Sequence, residues 1–308
     1  MDSMDYSFIR YLSAKSTVDD RALNRYVWQT LAENLPGVSP GQPLRILEIG
    51  CGIGTMLTRM LDWGLVSGAE ITAIDALPDN IAAASHYLIK WGKTHNYRVQ
   101  STTSGLELIG QEHKIKIKLE AFDLFDFIRR RSGQQTWDLL VAHAFLDLLD
   151  IPTALPQIFQ LTRPGGLFYF SLNFDGVTIL EPAIEPSFDE LVAQLYHRTM
   201  DERITSGRPS GDSRTGRRLF AHLKSVGANL LAAGASDWVV YPAAKGYPAD
   251  EAYFLHFIIN TIAGALADHP DLDPVRFQEW IAVRHAQVER GELVYVAHQL
   301  DFVGKWDG

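Results

Sequence analysis

One short segment of the 308-residue sequence concentrates residue types that bind a charged small molecule. It reads Leu47-Glu-Ile-Gly-Cys-Gly-Ile-Gly-Thr55, with glycines at positions 50, 52 and 54. Glycine adopts positive φ at little steric cost and lets a ligand approach the backbone closely. A helix that begins after the glycines presents free N–H groups and the positive end of its dipole. The segment therefore predicts a binding turn for a carboxylate or a phosphate, with Glu48 beside it.

Two common phosphate-binding motifs do not fit this turn. A Walker A loop requires Gly-Lys-Ser/Thr five residues after its first glycine, and no lysine lies between Gly50 and Thr55. The dinucleotide fingerprint requires a third glycine where this chain has Thr55. The pattern that does fit is Glu-x-Gly-x-Gly-x-Gly.

Acidic and aromatic residues also follow three later strand-like segments. Asp75 ends one, Phe122-Asp123 follows the next, and Asp138-Leu-Leu-Val-Ala-His-Ala-Phe-Leu-Asp147 spans the third. With Pro164-Gly-Gly, this ordered set resembles the class I S-adenosylmethionine-dependent methyltransferases over roughly residues 44–172. Further similarity to a loosely defined group of bacterial methyltransferases, associated with small-molecule substrates, covers residues 10–31, 211–219 and 291–302.

The resemblance implies S-adenosylmethionine as cofactor and S-adenosylhomocysteine as product. Asp75 would accept the ribose hydroxyls, and Glu48 would act near the amino group of the cofactor. Asp123 would accept from the adenine amine, although a helix N-cap is an alternative role for it. The implied cofactor-binding residues are Glu48, Gly50, Cys51, Gly52, Gly54, Asp75, Ala76, Leu77, Phe122, Asp123, His143 and Ala144.

The segment that follows the fourth predicted strand contains two candidates for a catalytic base. Methyl transfer from a sulfonium is an in-line displacement, so alignment supplies much of the rate, and a base is needed only where the acceptor must lose a proton early. His143 is the first candidate and Asp147 the second. The alternatives are a packed or cofactor-contacting histidine and an acid at a helix start. The Asn/Asp-Pro-Pro-Tyr/Phe-type motif of several protein- and nucleic-acid-methylating families is not found there, which favours a small-molecule acceptor.

The candidate acceptor-binding residues come from the N-terminal helices, a later helix and a loop rich in glycine and arginine. Guanidinium forks pair well with carboxylates, so the loop predicts a carboxylate clamp. The alternative is a capping loop in which Asp212 pairs with Arg214. The candidates are Tyr11, Tyr196, His197, Arg214 and Arg217.

Strands alternating with helices must position these groups. Such an order predicts an α/β fold with a Rossmann-like, doubly wound parallel sheet and a ligand crevice at the carboxyl ends of its strands. The resemblance implies seven strands, the last antiparallel, with residues 238–241 and 293–297 as the sixth and seventh. Residues 94–113 are interpreted as a long connection. The first five predicted strands are 45–50, 69–75, 114–120, 137–142 and 167–172.

The remaining segments are predicted to surround the site. Residues 1–43 would form an N-terminal helical cap on a methyltransferase domain of residues 44–308. Insertions at about 173–215 and 245–291 would be helical lids, which exclude water and select the substrate. Residues 252–266 are apolar around most of a helix and must be buried, either on the sheet or in a homodimer interface.

Composition narrows the class of protein further. The hydrophobic share is 46% and the charged share 21%, typical of a globular chain. The single cysteine and the scattered histidines predict neither a disulfide nor a metal site. The net charge of −9 argues against nucleic acid as a partner. No apolar run is long enough to span a membrane and the N-terminus does not resemble a signal peptide, so we expect a cytoplasmic protein.

These observations predict a methyltransferase that acts on a small organic acceptor. A non-catalytic S-adenosylmethionine-binding or regulatory protein on the same fold is an open alternative, because a fold does not determine function. A nicotinamide-dependent oxidoreductase is a second alternative, which Glu48 and Thr55 disfavour.

Overall fold

A computed structural model of the protein describes residues 6–37, 42–103, 105–111, 114–205 and 207–308. Residues 1–5 and 38–41 of the predicted cap, and residue 206 of the first predicted insertion, lie outside the described residues. The helices are α1 (Phe8–Ala14), α2 (Ser16–Ala22), α3 (Arg25–Asn34), α4 (Thr55–Asp62), α5 (Pro78–Thr94), α6 (Leu124–Arg131), α7 (Ile151–Phe159), α8 (Pro186–Asp201), α9 (Thr215–Ser225), α10 (Glu251–Ala265) and α11 (Pro274–Glu289). The strands are β1 (Leu44–Ile49), β2 (Gly68–Asp75), β3 (Arg98–Thr102), β4 (Gly105–Ile109), β5 (Lys114–Ala121), β6 (Trp137–His143), β7 (Thr162–Glu181), β8 (Ile204–Thr205), β9 (Arg208–Pro209), β10 (Ala228–Ala235), β11 (Trp238–Val240) and β12 (Val294–Trp306).

One large twisted sheet organises the described part of the chain. Its strand order is β10-β12-β7-β6-β1-β2-β5-β4-β3, and β11 pairs with β12 beside this path. Strands β1, β2, β5, β6 and β7 run parallel to one another, whereas β12 runs antiparallel to β7 and β4 runs antiparallel to β5. The chain moves from β1 to β2 on one side and later adds β6 on the other. The predicted Rossmann-like, doubly wound fold is confirmed, and its switch point lies between β1 and β6.

Helices cover both faces of the sheet and bury its central strands. On one face, α6, α7 and α9 pack their apolar side chains against β1, β6 and β7. On the other, the core includes residues of α2, α3, α4, α5, α8, α10 and α11. A parallel strand with both faces covered is apolar on both faces, as the Leu139–Ala142 stretch of β6 is, since alternation would bury polar side chains.

The edges of the sheet contain strands that the sequence pattern did not predict. Residues 94–113, interpreted as a connection, contain the antiparallel β3–β4 hairpin, which extends the sheet beyond β5. The prediction was wrong: β3 is polar and mostly exposed at the sheet edge and has no apolar pattern, but β4 alternates buried and half-buried residues as a strand does. The sheet accordingly has ten strands within the described residues, rather than seven.

The sixth position of the predicted methyltransferase sheet belongs to β10. The predicted occupant, residues 238–241, does contain a strand, but β11 pairs with the opposite half of β12. Strand β10 reads Ala-Asn-Leu-Leu-Ala-Ala-Gly-Ala and has little of the β-branched character that marks a strand. Its small residues make room for α3, because a Cβ at Gly234 would overlap the side chain of Asn24.

Strand β7 is also longer than predicted. It continues from the predicted end at residue 172 to Glu181, so the first predicted insertion begins as a strand. The two halves of β7 meet at Leu172, whose φ is +54°, and the register of β12 shifts opposite this point. Asp301 lies at the shift and accepts hydrogen bonds from the main-chain N–H groups of Leu172 and Asn24, both at 2.8 Å. This buried carboxylate therefore joins β12 to the bend of β7 and to the start of α3.

The N-terminal helices are attached to α10. Arg10 pairs with Asp250 at 2.8 Å, and Arg21 pairs with Glu251 at 2.6 Å. Helix α10 also contacts α8 and α11, and the Phe254 ring packs on β11 and β12. Its apolar side chains are thus buried on the sheet, the first of the two predicted arrangements, and the homodimer stays a prediction.

We expect Asp301→Ala to destabilise the fold strongly. The substitution leaves the N–H groups of Leu172 and Asn24 buried without an acceptor, at a cost of about 3 kcal/mol. Urea unfolding followed by circular dichroism measures this loss. Asp307→Ala is the control, because Asp307 is exposed near the same terminus and its loss should change stability by less than about 0.5 kcal/mol. Equal effects of the two substitutions would contradict the junction role of Asp301.

Candidate functional site

The glycine turn joins β1 to α4 at the switch point of the sheet. Gly50, Gly52 and Gly54 have φ of +69°, +52° and +81°, a region that other residues rarely adopt. A Cβ at Gly50 would overlap the ring of Phe145, and one at Gly52 would lie 3.3 Å from a methyl group of Leu12. Glycine is therefore required by backbone conformation and by close approach, and α1 lies directly over the turn.

Asp75, at the carboxyl end of β2, holds this turn in place. Its Oδ2 accepts the N–H of Gly52 at 2.9 Å, and its Oδ1 accepts from the Leu77 N–H at 2.9 Å and the Asn80 amide at 3.1 Å. A carboxylate has about four acceptor positions, so three are used within the protein. In this arrangement Asp75 can accept one further hydroxyl, whereas the resemblance implies contacts with both ribose hydroxyls.

Glu48 lies on β1 just before the turn and is buried, with 1% of its surface exposed. Its Oε2 has no hydrogen-bond partner among the described residues. Burial raises the pKa of Glu48 to about 8, although the nearby Arg59 opposes the shift. A buried acid with an unused oxygen fits a cationic hydrogen-bond donor, such as the ammonium group of an amino acid.

The residues predicted for the adenine end lie along the carboxyl edge of β2 and β5. The N–H of Phe122 donates to the carbonyl of Asp75 at 2.8 Å, which joins the two strand ends. Asp123 caps α6 by accepting two of its main-chain N–H groups through Oδ1. The predicted N-cap is therefore present, and no described group binds Oδ2. Ala76 and Leu77 are exposed beside this edge, available to cover a flat ligand.

His143 ends β6, and both of its ring nitrogens have partners inside the protein. Nε2 lies 3.1 Å from Oδ2 of Asp19, and Nδ1 lies 2.9 Å from the Ser171 hydroxyl. Burial lowers the pKa of His143 to about 4 despite the opposing charge of Asp19, so the ring is neutral at pH 7. With no free ring nitrogen, His143 corresponds in this arrangement to the alternative of a packed histidine. The next residue, Ala144, turns the chain with a φ of +50°.

The partner of His143 is the centre of a buried network formed by Lys15, Asp19, Arg59, His143 and Trp238, here called the Asp19 network. The Asp19 carboxylate lies 3.0 Å from Lys15 Nζ, 2.9 Å from Trp238 Nε1 and 3.5 Å from Arg59 Nη2. Burial alone would raise the pKa of Asp19, but Lys15, His143 and Arg59 hold it well below its usual range. The network joins α2 to α4, β6 and β11.

Five polar residues meet beyond the glycine turn: Tyr11 of α1, Asp147, Tyr196 of α8, Arg203 and Tyr295 of β12. We call them the tyrosine cluster. The pKa of Tyr11 is raised by burial and further by Tyr295, Tyr196 and Asp147, which places these groups within electrostatic reach of one another. Burial raises the pKa of Asp147 to about 6, with Arg203 opposing, and its Oδ1 has no partner among the described residues.

Two of the other predicted acceptor-binding residues are engaged elsewhere. His197 Nε2 lies 2.9 Å from the Thr178 hydroxyl, and burial lowers the pKa of His197. The Arg217 guanidinium binds Asp175, with Nε 2.8 Å from Oδ1 and Nη2 2.9 Å from the carbonyl oxygen. The fork of Arg217 is thus used within the chain, which leaves it unsuited to clamp a carboxylate.

Arg214 and its neighbours form a capping loop before α9. The main-chain N–H of Arg214 donates to Asp212 at 2.8 Å, while the Asp212 carboxylate pairs with Arg218 at 2.7 Å. The alternative of a capping loop predicted that Asp212 pairs with Arg214. In the structure the Asp212 carboxylate forms its ion pair with Arg218 instead. The Arg214 side chain is exposed, so the predicted clamp is not assembled in this structure.

Sequence reasoning did not find Asp19, Arg59, Arg203 or Tyr295 as site residues. In the sequence, the position of Asp19 is typical of an acid in a first helical turn. The position of Arg59 is typical of a solvated residue of a helix. Only the packing of α2 on the sheet buries them, to 0% and 4% exposure. A buried charge requires a partner, but the sequence gives no distance from which to find one.

The described residues were also searched for a metal-binding group and for a membrane-spanning helix. Among the described residues, no three histidine, cysteine, aspartate or glutamate side chains are grouped so as to hold a metal ion. No described helix is long and apolar enough to cross a membrane.

The doubly wound sheet, its switch-point glycine turn and the acid after β2 define a class of α/β proteins that bind a small ligand at the carboxyl edge. The family model described as a methyltransferase domain matches residues 21–202, more than half of the chain. The chain belongs to this methyltransferase family, which confirms the resemblance to class I methyltransferases.

Curated relatives match part of the chain. The ubiquinone biosynthesis O-methyltransferase of Cereibacter sphaeroides is 28% identical over 150 residues, which are 47% of this chain and 49% of the relative. The enzyme of the same name from Methylocella silvestris is 30% identical over 135 residues, 42% of this chain and 40% of the relative. The chain thus spans about half the length of the curated relatives it matches.

Solved structures with similar topology include two methyltransferases. The S-adenosylmethionine-dependent methyltransferase from Thiobacillus denitrificans, solved with S-adenosyl-L-homocysteine, has a TM-score of 0.46 and 14% identity, covering 98% of this chain and 99% of that one. A putative sarcosine dimethylglycine methyltransferase from Galdieria sulphuraria has a TM-score of 0.43 and 12% identity, covering 96% and 87%.

We expect Asp19→Asn to cost about 3 to 5 kcal/mol, because it leaves the buried charge of Lys15 without its counter-charge and Arg59 with Asp20 alone. Asp20→Asn is the matched control. Asp20 pairs with Arg59 at 2.5 Å, but its side chain is 46% exposed, so its loss should cost about 1 kcal/mol or less. Urea unfolding at pH 7 compares the two variants.

The same variants test the direction of the Asp19 pKa. A carboxyl group with a lowered pKa stabilises the folded state above its unfolded pKa of about 4, and this contribution is lost as pH falls towards the folded pKa. The difference between wild type and Asp19→Asn should therefore shrink below about pH 4. A difference that stays constant down to pH 3 would argue against the ionised network.

Proposed function

We propose that this protein transfers a methyl group from S-adenosylmethionine to a small organic acceptor and releases S-adenosylhomocysteine. The observation that carries the proposal is the bond from Gly52 to Asp75. It brings the glycine turn, the acid after β2 and the buried Glu48 to one edge of the sheet. Membership in the methyltransferase family supports it, and the relatives' printed name, O-methyltransferase, favours oxygen as the methylated atom.

The residues of this edge fit the parts of the proposed cofactor. The turn of Gly50, Gly52 and Gly54 would lie against the amino-acid portion, and Glu48 would accept from the ammonium. Asp75 would bind a ribose hydroxyl. Ala76, Leu77, Phe122 and Asp123 would surround the adenine, with Cys51 and Ala144 lining the turn and the path from it. When bound, S-adenosylmethionine supplies a methyl group activated by its positively charged sulfur.

The chain must then hold the acceptor in line and remove one proton from it. Asp147 would accept the proton that the acceptor loses, since His143 has no free ring nitrogen. Helices α1, α2, α8 and α10 would form the lid that excludes water, which is the role predicted for the N-terminal cap and the two insertions. A small acceptor, a cytoplasmic location and a homodimer are part of the proposal and rest on the sequence reasoning.

Calorimetric titration with S-adenosylmethionine, S-adenosylhomocysteine and NAD in parallel tests the cofactor. Both sulfur compounds should bind and NAD should not. With a pKa of about 8, Glu48 is protonated at pH 7. A bound ammonium should lower that pKa and release close to one proton, about 0.9, into the buffer.

Titrations in buffers of different ionisation enthalpy measure the proton. Glu48→Gln keeps the size of the side chain and cannot release it, so binding should lose its buffer dependence. Binding of NAD alone would overturn the proposal, and identical proton release from wild type and variant would exclude Glu48 as its source.

For any acceptor that is turned over, Asp147→Asn should lower kcat about 100- to 1,000-fold, the range of general-base catalysis. The wild-type rate should rise with pH through about 6 and then level off, because only the ionised carboxylate accepts a proton. Asp150→Asn, three residues further on, is the control and should change kcat less than about twofold. An unchanged pH profile in Asp147→Asn would assign the proton to another group.

A further inference from the structure

Arg203 is a half-buried residue, and its guanidinium makes no hydrogen bond or ion pair with any described residue. Other arginines at buried or half-buried positions are paired, among them Arg59 with Asp19 and Asp20, and Arg163 with Asp138. A guanidinium carries five donors in a rigid fork that matches a carboxylate. An arginine left without partners in a partly buried position is therefore a candidate for a ligand contact.

The position of Arg203 is set by a close approach at Gly211. A Cβ at Gly211 would lie 3.4 Å from Cζ of Arg203, 3.2 Å from the carbonyl oxygen of Asp147 and 3.0 Å from that of Met200. Gly211 has a φ of +124°, which also favours glycine. The guanidinium thus lies across this glycine from the Asp147 main chain, at one side of the tyrosine cluster.

The cluster combines unpaired groups of opposite kinds. Oδ1 of Asp147 is sealed from solvent and lacks a donor. Arg203 lacks an acceptor, and the two side chains form no ion pair with each other. Two neighbouring groups that each lack a partner indicate a ligand that supplies both, an anionic group for the guanidinium and a hydrogen-bond donor for the carboxylate.

We propose that the methyl acceptor is a small hydroxy acid, whose carboxylate binds Arg203 and whose hydroxyl donates to Asp147. The proposal rests on the proposed function and names its substrate class. Tyr11, Tyr196 and Tyr295 provide flat walls and hydroxyl groups around the ligand. The predicted carboxylate clamp of Arg214 and Arg217 is thereby replaced by an arginine on a different segment of the chain.

Binding of matched acids and amides tests the proposal. The probes are 2-, 3- and 4-hydroxybenzoate and the corresponding hydroxybenzamides, which differ in charge and keep the hydroxyl. Each is titrated by calorimetry into protein saturated with S-adenosylhomocysteine. At least one acid should bind about tenfold or more tightly than its amide, the lower end of what a hydrogen bond to a charged group contributes.

Substitutions identify the residue that distinguishes the charged carboxylate of the acid from the neutral amide. Arg203→Gln should reduce the preference for the acid to less than about twofold, and Arg203→Lys should retain part of it. Arg208→Gln, at an exposed arginine of the neighbouring strand β9, is the control and should keep the full preference. S-adenosylhomocysteine should bind all variants equally, because Arg203 lies outside the predicted cofactor residues.

Three outcomes would overturn the proposal: binding of none of the three acids, equal binding of acid and amide, or a preference that survives Arg203→Gln. Each leaves the proposed function standing if S-adenosylhomocysteine still binds. Failure of S-adenosylhomocysteine to bind, with acids still preferred through Arg203, would instead remove the proposed function and retain the acid site.

Discussion

The arrangement of the whole site depends on one buried charge, the carboxylate of Asp19. A carboxylate without water is costly unless cations and donors surround it, and here Lys15, Arg59, His143 and Trp238 do so. These partners come from different elements, so the charge can be satisfied only when α2, α4, β6 and β11 meet. The electrostatic requirement of a single side chain therefore fixes where the N-terminal helices lie on the sheet.

The positions of the glycine turn and of the tyrosine cluster, the two halves of the candidate site, both depend on this network. Arg59 also binds the Thr55 hydroxyl at 3.2 Å, which links the network to the first residue of α4 and so to the glycine turn. In the other direction, the placement of α2 carries α1 over the turn, where Leu12 approaches Gly52 and Tyr11 enters the tyrosine cluster. The turn and the cluster are consequently held at neighbouring positions of one edge.

The accuracy of the sequence predictions followed the range of the interactions involved. The glycine turn, Asp75 and the five central strands depend on local backbone chemistry and on burial patterns, and the structure contains all of them. Strands β3 and β10 escaped detection because an exposed or alanine-rich strand carries little apolar signal. Arg217 was a reasonable candidate by residue type, but its partner Asp175 lies 42 residues away, at a distance that sequence does not reveal.

The sequence by itself determined the family, the doubly wound sheet and the residues along its carboxyl edge, because glycine spacing and strand periodicity are local properties of the chain. Only the tertiary structure decided which polar groups have partners. It engaged both nitrogens of His143, used the fork of Arg217 within the chain, and left Glu48 and Asp147 each with a buried oxygen that has no partner among the described residues. Pairing depends on distances between segments far apart in sequence, and these distances exist only once the helices have packed on the sheet.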